Sequence, residues 1–252
     1  MKFKKRFRRG IFSMEKANVV ITGASSGIGK ALSLKFCQDG KSKVLGIARR
    51  EERLKELKRQ CSESFEYLDL DLSNPSSAEK VRDYVAEKFS PLGILVNNAG
   101  YGLYKGVLEM NTEEVINMTN VNFVVPILLI KELSPYMEKG SMVVNVLSGG
   151  VFVLMTKLPL YGATKMAFHY ASEALKRELK TKGIDVLNVY PGVVETEFHE
   201  RAGGIQTLKG LSPEEVANAI YDSIKKRKKN LFIPWYLRLA KLIFGPALPS
   251  FF

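Results

Sequence analysis

The sequence predicts a single α/β domain, built as a doubly wound parallel sheet with helices on both faces. Short apolar runs alternate with helical segments from residue 18 onward, without internal repeats. These runs are continuously apolar, which is typical of parallel strands covered on both faces. A length of 252 residues with 46% hydrophobic residues suits one large globular domain and excludes a disordered or fibrous chain.

The predicted elements are recognised by their apolar runs, their periodicity and their end signals. Strands are predicted at 18–21, 43–48, 65–68, 94–96, 142–147, 184–189 and 231–233. Helices are predicted at 27–38, 50–60, 75–88, 112–137, 161–182 and 212–229. In the last helix, Ser212, Pro213 and Glu215 indicate a capping box with Pro at the first helical position.

The net charge of +12 lies mainly at the two ends of the chain. Residues 1–13 hold six basic residues and residues 225–252 hold seven, with no acidic residue in either segment. The chain between them has 25 basic and 26 acidic residues, so we expect ends that meet an anionic surface and no nucleic-acid-binding domain. The predicted parts are a basic flexible arm at 1–17, a folded domain at 18–233 and an amphipathic tail at 234–252. Met14 is a second possible start beside Met1.

The cysteines and histidines predict neither a disulfide framework nor a metal site. Cys37 and Cys61 are too few for such a framework, and no secretory apolar segment is recognised at the N-terminus. We therefore expect reduced thiols in a cytoplasmic protein. His169 and His199 are far apart and have no ligand spacing around them, so no metal is expected.

A glycine-rich turn, TGASSGIG at 22–29, follows the first predicted strand and opens a helix. Its glycines allow a tight turn and let the backbone approach a pyrophosphate, which also meets the positive end of the helix dipole. A turn that serves packing alone is the alternative. The predicted cofactor contacts here are Gly23, Ser25, Ser26, Gly27, Ile28 and Gly29.

The second predicted strand ends in Ala48, Arg49 and Arg50. A residue that binds a free ribose 2′-hydroxyl would be Asp or Glu at this point, whereas arginine suits a 2′-phosphate. We therefore predict that Arg49 selects NADP(H). The alternative, a solvated start of the next helix, applies to Arg50 in particular.

Tyr161 and Lys165 are four residues apart on a predicted helix and so share one face. A lysine cation beside a tyrosine favours the phenolate and lowers a pKa that is ordinarily near 10. The phenol would then exchange a proton nearer to neutral pH. Ser148 ends the fifth strand thirteen residues earlier. A surface contact is the usual meaning of such a Tyr–Lys pair, and the surrounding motifs argue against it here.

Together these motifs resemble the short-chain dehydrogenase/reductase family over nearly all of 17–230. The motifs that carry the resemblance are the turn at 22–29, Asp71, NNAG at 97–100, Asn122, Ser148, Tyr161 with Lys165, and the segment 191–196. The resemblance implies a Rossmann-type oxidoreductase of the compact NADP(H)-preferring branch, with its catalytic domain at 18–233. It also implies a homo-oligomer, either a dimer or a tetramer.

The resemblance implies a role for each matching residue. Tyr161 would be the catalytic acid in carbonyl reduction and the base in alcohol oxidation, with Ser148 on the substrate oxygen. Lys165 would hold the nicotinamide ribose and Asn122 a proton-relay water, while Asp71 would meet the adenine. Further cofactor contacts would come from Asn98, Ala99, Gly100, Pro191, Gly192, Val194 and Thr196.

Two features depart from the family pattern or leave it ambiguous. Asn120 lies two residues before Asn122, and we prefer Asn122 because its neighbours fit the motif. Val125, followed by Pro126, stands where members of the family often have glycine. No member of the Ser-Tyr-Lys-Asn set is missing, which argues against a binding-only relative.

In the family the segment between Ser148 and Tyr161 borders the substrate pocket, and here it is strongly apolar. Its apolar residues are Val151, Phe152, Val153, Leu154, Met155, Leu158 and Leu160. Core or dimer packing accounts for about half of these residues. The others, together with an aromatic rim of Tyr101 and Tyr104, favour a hydrophobic ketone as substrate, such as a 3-oxoacyl or sterol-like compound. The alternatives are a reductase of small soluble aldehydes and ketones, and a non-catalytic NADP(H)-binding scaffold.

The segments 198–204 and 235–252 stand apart from the catalytic motifs. The first lies where the family has a mobile lid, with Gly203 and Gly204 as a hinge and His199 on the surface. We expect His169 to pack on its helix. In the second segment, apolar residues at helical spacing alternate with cations, which predicts a helix on an anionic membrane surface. A tail that packs on a partner subunit or closes the substrate pocket is the alternative.

Overall fold

The computed structural model describes residues 17–204 and 209–239, and shows seven strands and eight α-helices in this part of the chain. The strands are β1 (Asn18–Thr22), β2 (Lys43–Ala48), β3 (Phe65–Asp69), β4 (Leu92–Asn97), β5 (Met137–Val146), β6 (Asp185–Pro191) and β7 (Asn230–Ile233). The helices are α1 (Gly27–Gln38), α2 (Glu51–Cys61), α3 (Ser77–Tyr84), α4 (Thr112–Thr119), α5 (Val125–Leu133), α6 (Pro159–Thr181), α7 (Phe198–Arg201) and α8 (Pro213–Lys225). Residues 1–16 of the predicted arm and 240–252 of the predicted tail lie outside the described residues.

All seven strands form one parallel sheet in the order β3-β2-β1-β4-β5-β6-β7. Its two faces carry separate cores, because alternate side chains of a strand point to opposite sides. Val19 and Ile21 face α1, α2 and α8, whereas Val20 faces α3, α5 and α6. The predicted fold class, a doubly wound parallel sheet with helices on both faces, is confirmed.

The structure differs from the predicted elements mainly in helix interruptions and element ends. The predicted helix 112–137 is interrupted by a π-turn at Asn120–Val124, and β5 begins at Met137, where we expected the helix to end. A further π-turn at Val85–Phe89 follows α3, and the short helix α7 was not predicted. These features depend on contacts with the rest of the fold, which periodicity does not reveal.

Among the described helices, the stretch Thr112–Tyr136 alone has the length and hydropathy of a membrane span. Within it, Val125, Leu129 and Leu133 are fully buried in the core that covers one face of the sheet. These residues form the face of the stretch that packs on the sheet.

Cys37 and Cys61 form a disulfide, with their Cα atoms 5.6 Å apart. The expectation of two reduced thiols is therefore wrong. Both residues lie near the ends of their helices, α1 and α2, which follow neighbouring parallel strands on the same side of the sheet. This arrangement brings together two residues that are 24 positions apart in the chain.

A buried ladder of amides joins the strands whose ends build the site. Asn97 on β4 donates to Asn145 on β5 over 2.9 Å, and Asn145 donates to Ser172 on α6 over 2.7 Å. Ser172 donates in turn to Asn188 on β6 over 2.6 Å. Because buried polar groups need partners, these bonds fix the register of three strands against α6.

Candidate active site

The candidate site begins where the chain reverses the direction in which it adds strands, between β1 and β4. In a doubly wound sheet, ligands bind in the crevice outside the carboxyl ends of the strands at such a point. Here the Thr22 hydroxyl accepts the backbone N–H groups of Asn98 and Ala99 at 2.9 and 3.0 Å. The Asn98 amide donates to the Thr22 carbonyl over 2.9 Å. These bonds join the glycine-rich turn to the turn at 97–100.

The glycine-rich turn leaves no room for side chains at the points of closest approach. Gly23 has a φ of +70°, in the region that favours glycine. A Cβ added at Gly29 would lie 2.3 Å from the Gly23 carbonyl oxygen and 2.6 Å from the Asn98 side-chain nitrogen. The α1 helix begins at Gly27, so its unpaired N–H groups and positive dipole end face the crevice.

A cavity of about 660 Å³ runs from this turn along the carboxyl ends of the sheet. Most of the predicted site residues line it: Gly23, Ser25, Ser26, Gly27, Ile28, Arg49, Asp71, Asn98, Ala99, Gly100, Ser148, Tyr161, Lys165, Pro191, Gly192, Val194 and Thr196. Gly29 lies directly beneath the turn, and Asn122 lies behind Gly100, where an added Cβ would be 3.2 Å from its side-chain oxygen. The structure thus brings the predicted residues together around one cleft.

Tyr161 and Lys165 lie together, as the sequence predicted, but burial outweighs the expected effect on the phenol. The surrounding walls raise the pKa of Tyr161 to about 12, while a hydrogen bond from Ser148 acts in the opposite direction. The Lys165 ammonium lies 5.9 Å from the Tyr161 ring centre and donates to the Val146 carbonyl over 3.0 Å. Burial lowers the pKa of Lys165 to about 8. In the described structure the expected lowering of the Tyr161 pKa is therefore not found.

Asn122, rather than Asn120, faces this group. Its buried amide donates to the Tyr101 carbonyl over 2.9 Å and to the Thr164 hydroxyl over 3.0 Å, and its oxygen accepts the Tyr101 N–H over 3.1 Å. Asn120 instead donates to the carbonyl of Ser73. Both lie in the π-turn between α4 and α5, whose wider turn changes the direction in which each side chain points.

Part of the apolar segment after Ser148 forms the wall of the cavity and part belongs to the core. Val153, Met155 and Leu158 line the cavity, whereas Phe152 is buried against Tyr190 and Phe232. Leu154 projects outward with 88% of its surface exposed. The predicted division between pocket and core is therefore present.

Leu237, in the segment after β7, also lines the cavity. It packs on Gly149 and Gly192, where an added Cβ would lie 2.7 and 3.7 Å from its methyl carbon. Its neighbours Trp235 and Tyr236 are 73% and 56% exposed. The start of the tail thus closes one side of the pocket with Leu237 and exposes the rings of Trp235 and Tyr236 to solvent. Helical spacing in the sequence did not show which of these residues would face the pocket.

The two histidines have different environments. His169 is buried and pairs with the Tyr190 hydroxyl over 3.0 Å, as expected for a packing residue. His199 lines the cavity and pairs with the Tyr104 hydroxyl over 2.7 Å, so the expectation of a simple surface residue is wrong. Burial lowers the pKa of His199. Beside it, Phe198 packs on Tyr161 with ring centres 5.1 Å apart.

The other end of the cavity is rich in arginine. Arg49 is about half exposed, and its guanidinium lies 3.6 Å from the Asp71 carboxylate. Arg50 is not a solvated helix start, because its guanidinium donates to Ser25, Ser26 and Glu197. The consecutive arginines were the only sequence signal for Arg50, and nothing in the sequence pointed to Glu197.

Comparison with known proteins finds related sequences and related structures. Residues 17–204 match the family model described as short chain dehydrogenase. An uncharacterised oxidoreductase of Staphylococcus epidermidis is 32% identical, with 80% of this chain and 87% of the relative covered. The serine 3-dehydrogenase of Agrobacterium fabrum is 31% identical, with 81% and 86% covered. A short-chain dehydrogenase from Sphingobium yanoikuyae, solved in complex with NADPH, superposes with a TM-score of 0.81 at 28% identity, with 90% and 92% covered.

The buried Lys165 ammonium predicts a stability penalty that depends on pH. Its pKa of about 8 is below the ordinary 10.5, so the penalty is complete below pH 8, falls as pH rises from 8 to 10.5, and is absent above that range. Lys165→Met should therefore raise the free energy of unfolding at pH 7, by up to about 3 kcal/mol. The gain should be smaller by about 2 kcal/mol at about pH 9.5. Urea unfolding of the cofactor-free protein at both pH values measures this difference.

The matched control is Lys180→Met, which changes an exposed lysine of the same helix. It should shift stability by less than about 0.5 kcal/mol at either pH. A gain for Lys165→Met that is the same at both pH values would contradict the low pKa.

Proposed function

Because the chain belongs to the short-chain dehydrogenase/reductase family, whose members are oxidoreductases acting on alcohols and ketones, we propose that it interconverts a hydrophobic ketone and its secondary alcohol with NADP(H). The observation that carries this proposal is the meeting of Ser148, Tyr161 and Lys165 in a cavity with one arginine-rich end and one apolar end. The first end suits a dinucleotide phosphate and the second a lipid-like carbonyl compound.

The residues present fit a nicotinamide dinucleotide. The crevice between β1 and β4 offers a backbone cradle in which an added Cβ at Gly29 has no room, together with the N-terminus of α1. When bound, the cofactor would supply or take up the hydride. Gly23 to Gly29 would hold its pyrophosphate, Asp71 would meet the adenine, and the segment from Pro191 to Thr196 would meet the nicotinamide.

The proton is handled by the protein's own side chains in the proposed reaction. In carbonyl reduction the Tyr161 hydroxyl donates its proton to the substrate oxygen, which the Ser148 hydroxyl holds by a hydrogen bond. A pKa of about 12 keeps Tyr161 in its donating form in the cofactor-free cleft. Lys165 would hold the nicotinamide ribose, and Asn122 would hold a water that returns a proton. In alcohol oxidation the deprotonated form of Tyr161 would act as the base.

Preference for NADP(H) is assigned to Arg49. Ala48 offers no carboxylate to a free ribose 2′-hydroxyl, and the half-exposed Arg49 guanidinium lines the adenine side of the cavity. Its contact with Asp71 spans 3.6 Å, which is longer than a hydrogen bond, so its donors are available to a phosphate. The NADPH bound to the Sphingobium relative is consistent with this assignment.

The proposed substrate is hydrophobic because the walls around Tyr161 are hydrophobic. Val153, Met155, Leu158 and Phe198 line this end, and Leu237 adds a further aliphatic wall. A sugar would leave many hydroxyl groups facing these side chains without partners. A lipid-like ketone, such as a 3-oxoacyl or sterol-like compound, would bury apolar surface against them.

We also propose that the enzyme is cytoplasmic and peripheral at an anionic membrane, where such substrates concentrate. Trp235 and Tyr236 project from the pocket rim, and Leu239 beside them is 47% exposed. Aromatic and cationic residues of this kind suit a lipid interface. The paired cysteines give the cytoplasmic location no further support.

A homo-oligomer is likewise proposed, and the fully exposed Leu108 is a candidate residue for the contact between subunits.

Replacing Tyr161 by Phe should remove the proton donor while leaving the fold and NADPH binding intact. We expect kcat to fall by about 10²–10⁴-fold, because that is the usual contribution of general acid–base catalysis. The assay follows NADPH absorbance with ketones of graded chain length, and wild-type kcat/KM should rise with chain length. Tyr170→Phe, on the exposed side of the same helix, is the control.

Two results would contradict the proposal. Wild-type activity that falls with chain length would support a reductase of small soluble carbonyl compounds. NADPH binding without turnover of any carbonyl compound would support a non-catalytic scaffold.

Arg49→Ala should raise the KM for NADPH by about ten- to a hundredfold and leave that for NADH nearly unchanged, because a charge-assisted hydrogen bond to the 2′-phosphate is lost. Initial rates with each cofactor measure the ratio. Arg59→Ala, an exposed residue of α2 paired with Glu56, is the matched control. Equal use of NADH by the wild-type enzyme would show that the interpretation of the second strand is wrong.

The membrane proposal predicts co-sedimentation with vesicles that increases with their anionic lipid content. Basic residues near such a surface contribute about 1 kcal/mol each before screening. Removal of residues 1–13 and 240–252, or replacement of Trp235 and Tyr236 by Ser, should reduce the sedimented fraction. Protein that stays in the supernatant at low salt on highly anionic vesicles would favour the partner-subunit or pocket-closing alternative.

A further inference from the structure

Three side chains bridge the two walls of the cofactor crevice. Arg50 and Arg53 lie at the start of α2 on one wall, and Glu197 precedes α7 on the other. The Arg50 guanidinium donates to one carboxylate oxygen of Glu197 over 2.7 Å, and Arg53 donates to the other. We call this group the cleft bridge. It joins residues that are 147 and 144 positions apart in the chain.

Arg50 also fixes the glycine-rich turn. Its Nε and Nη2 atoms donate to the Ser25 hydroxyl over 3.3 and 3.2 Å, and Nη2 donates to the Ser26 hydroxyl over 2.6 Å. With Nη1 on Glu197, each nitrogen of this guanidinium has a protein partner. Arg49 makes only the 3.6 Å contact with Asp71 among the ion pairs described. The two consecutive arginines therefore differ in what they can offer to a phosphate.

Glu197 connects the bridge to the catalytic end of the cleft. The residue before it, Thr196, packs on the glycine-rich turn, where an added Cβ at Gly27 would lie 2.9 Å from its methyl group. The residue after it, Phe198, packs on Tyr161 with ring centres 5.1 Å apart. A displacement of Glu197 therefore moves one residue over the pyrophosphate site and one against the catalytic phenol.

The charges around the bridge favour the ionised form of the Glu197 carboxylate. Arg50 and Arg53 lower the pKa of Glu197 below its ordinary value, so it is ionised at neutral pH. Burial and, to a smaller extent, the neighbouring arginines lower the pKa of Arg201 on α7, and the Glu197 carboxylate acts in the opposite direction. Since these side chains are partly exposed, the bridge is an interaction of moderate strength that salt weakens.

We propose that Arg50 and Glu197 are positioning residues, which hold the segment from Thr196 to Phe198 over the bound cofactor and so set the affinity for NADPH and NADH alike. Arg49 alone distinguishes the two cofactors. This inference rests on the proposed function in one respect, namely that a nicotinamide dinucleotide occupies this crevice. It separates the two arginines into one that reads the 2′-phosphate and one that closes the cleft.

The test compares Kd values for both cofactors, measured by fluorescence titration of the full-length chain. Glu197→Gln and Arg50→Met should each raise Kd for NADPH and for NADH by the same factor, about three- to tenfold. In the double variant the rise in Kd should be smaller than the product of the two single rises, because both substitutions remove the same interaction. Added salt should weaken NADH binding to the wild-type protein more than to Glu197→Gln.

Glu56→Gln is the matched control, since it breaks an exposed Arg–Glu pair on α2 that lies away from the cleft. It should leave both Kd values unchanged. The melting temperatures of all variants should stay close to that of the wild type, which separates a positioning role from a general loss of stability.

Three outcomes would overturn the proposal. A rise in Kd confined to NADPH would mean that Arg50 reads the 2′-phosphate. A fall in Kd for NADPH with Glu197→Gln would mean that the carboxylate competes with the phosphate for the arginines. Unchanged values for both cofactors would reduce the bridge to a surface ion pair. Failure of the wild-type protein to bind either cofactor would instead overturn the proposed function on which the bridge depends.

Discussion

The junction between β1 and β4 is the contact on which the rest of the site depends. Thr22 receives two backbone N–H groups from the turn at 97–100, and Gly29 packs under the Gly23 carbonyl where any side chain would collide. This close approach holds two turns at the carboxyl ends of neighbouring strands and leaves a crevice between them. Because the sheet is continuous, it also sets where β5 and β6 deliver Ser148 and Pro191.

The buried Lys165 beside Tyr161 is an unfavourable charge inside the fold. Lys165 is nearly fully buried, and a single carbonyl, that of Val146, accepts its hydrogen bond among the contacts described. Burial acts in opposite directions on the two partners, lowering the pKa of Lys165 and raising that of Tyr161. A cleft that positions reacting groups before the cofactor arrives commonly gives up stability in this way.

Several residues acquire their roles only from long-range contacts. Arg50 was open to interpretation as a solvated helix start, and it instead joins the glycine-rich turn to Glu197. His199 faces the cavity through its contact with Tyr104. Cys37 and Cys61 pair because parallel connections bring the ends of α1 and α2 together. In each case the partner is remote in the chain, so local composition carried no signal for it.

The sequence by itself determined the fold class, the order of the strands along the chain and most of the residues that line the cleft, because apolar runs and glycine spacing are local properties. It also placed Tyr161 and Lys165 on one helical face, since four residues make about one turn. The neighbours of Asn122 in the sequence already favoured it over Asn120, and the tertiary structure added its buried hydrogen bonds to Tyr101 and Thr164. Only the tertiary structure decided that burial dominates the Tyr161 pKa, and that Leu237 and Glu197 belong to the cleft, since these depend on which distant segments meet across the sheet.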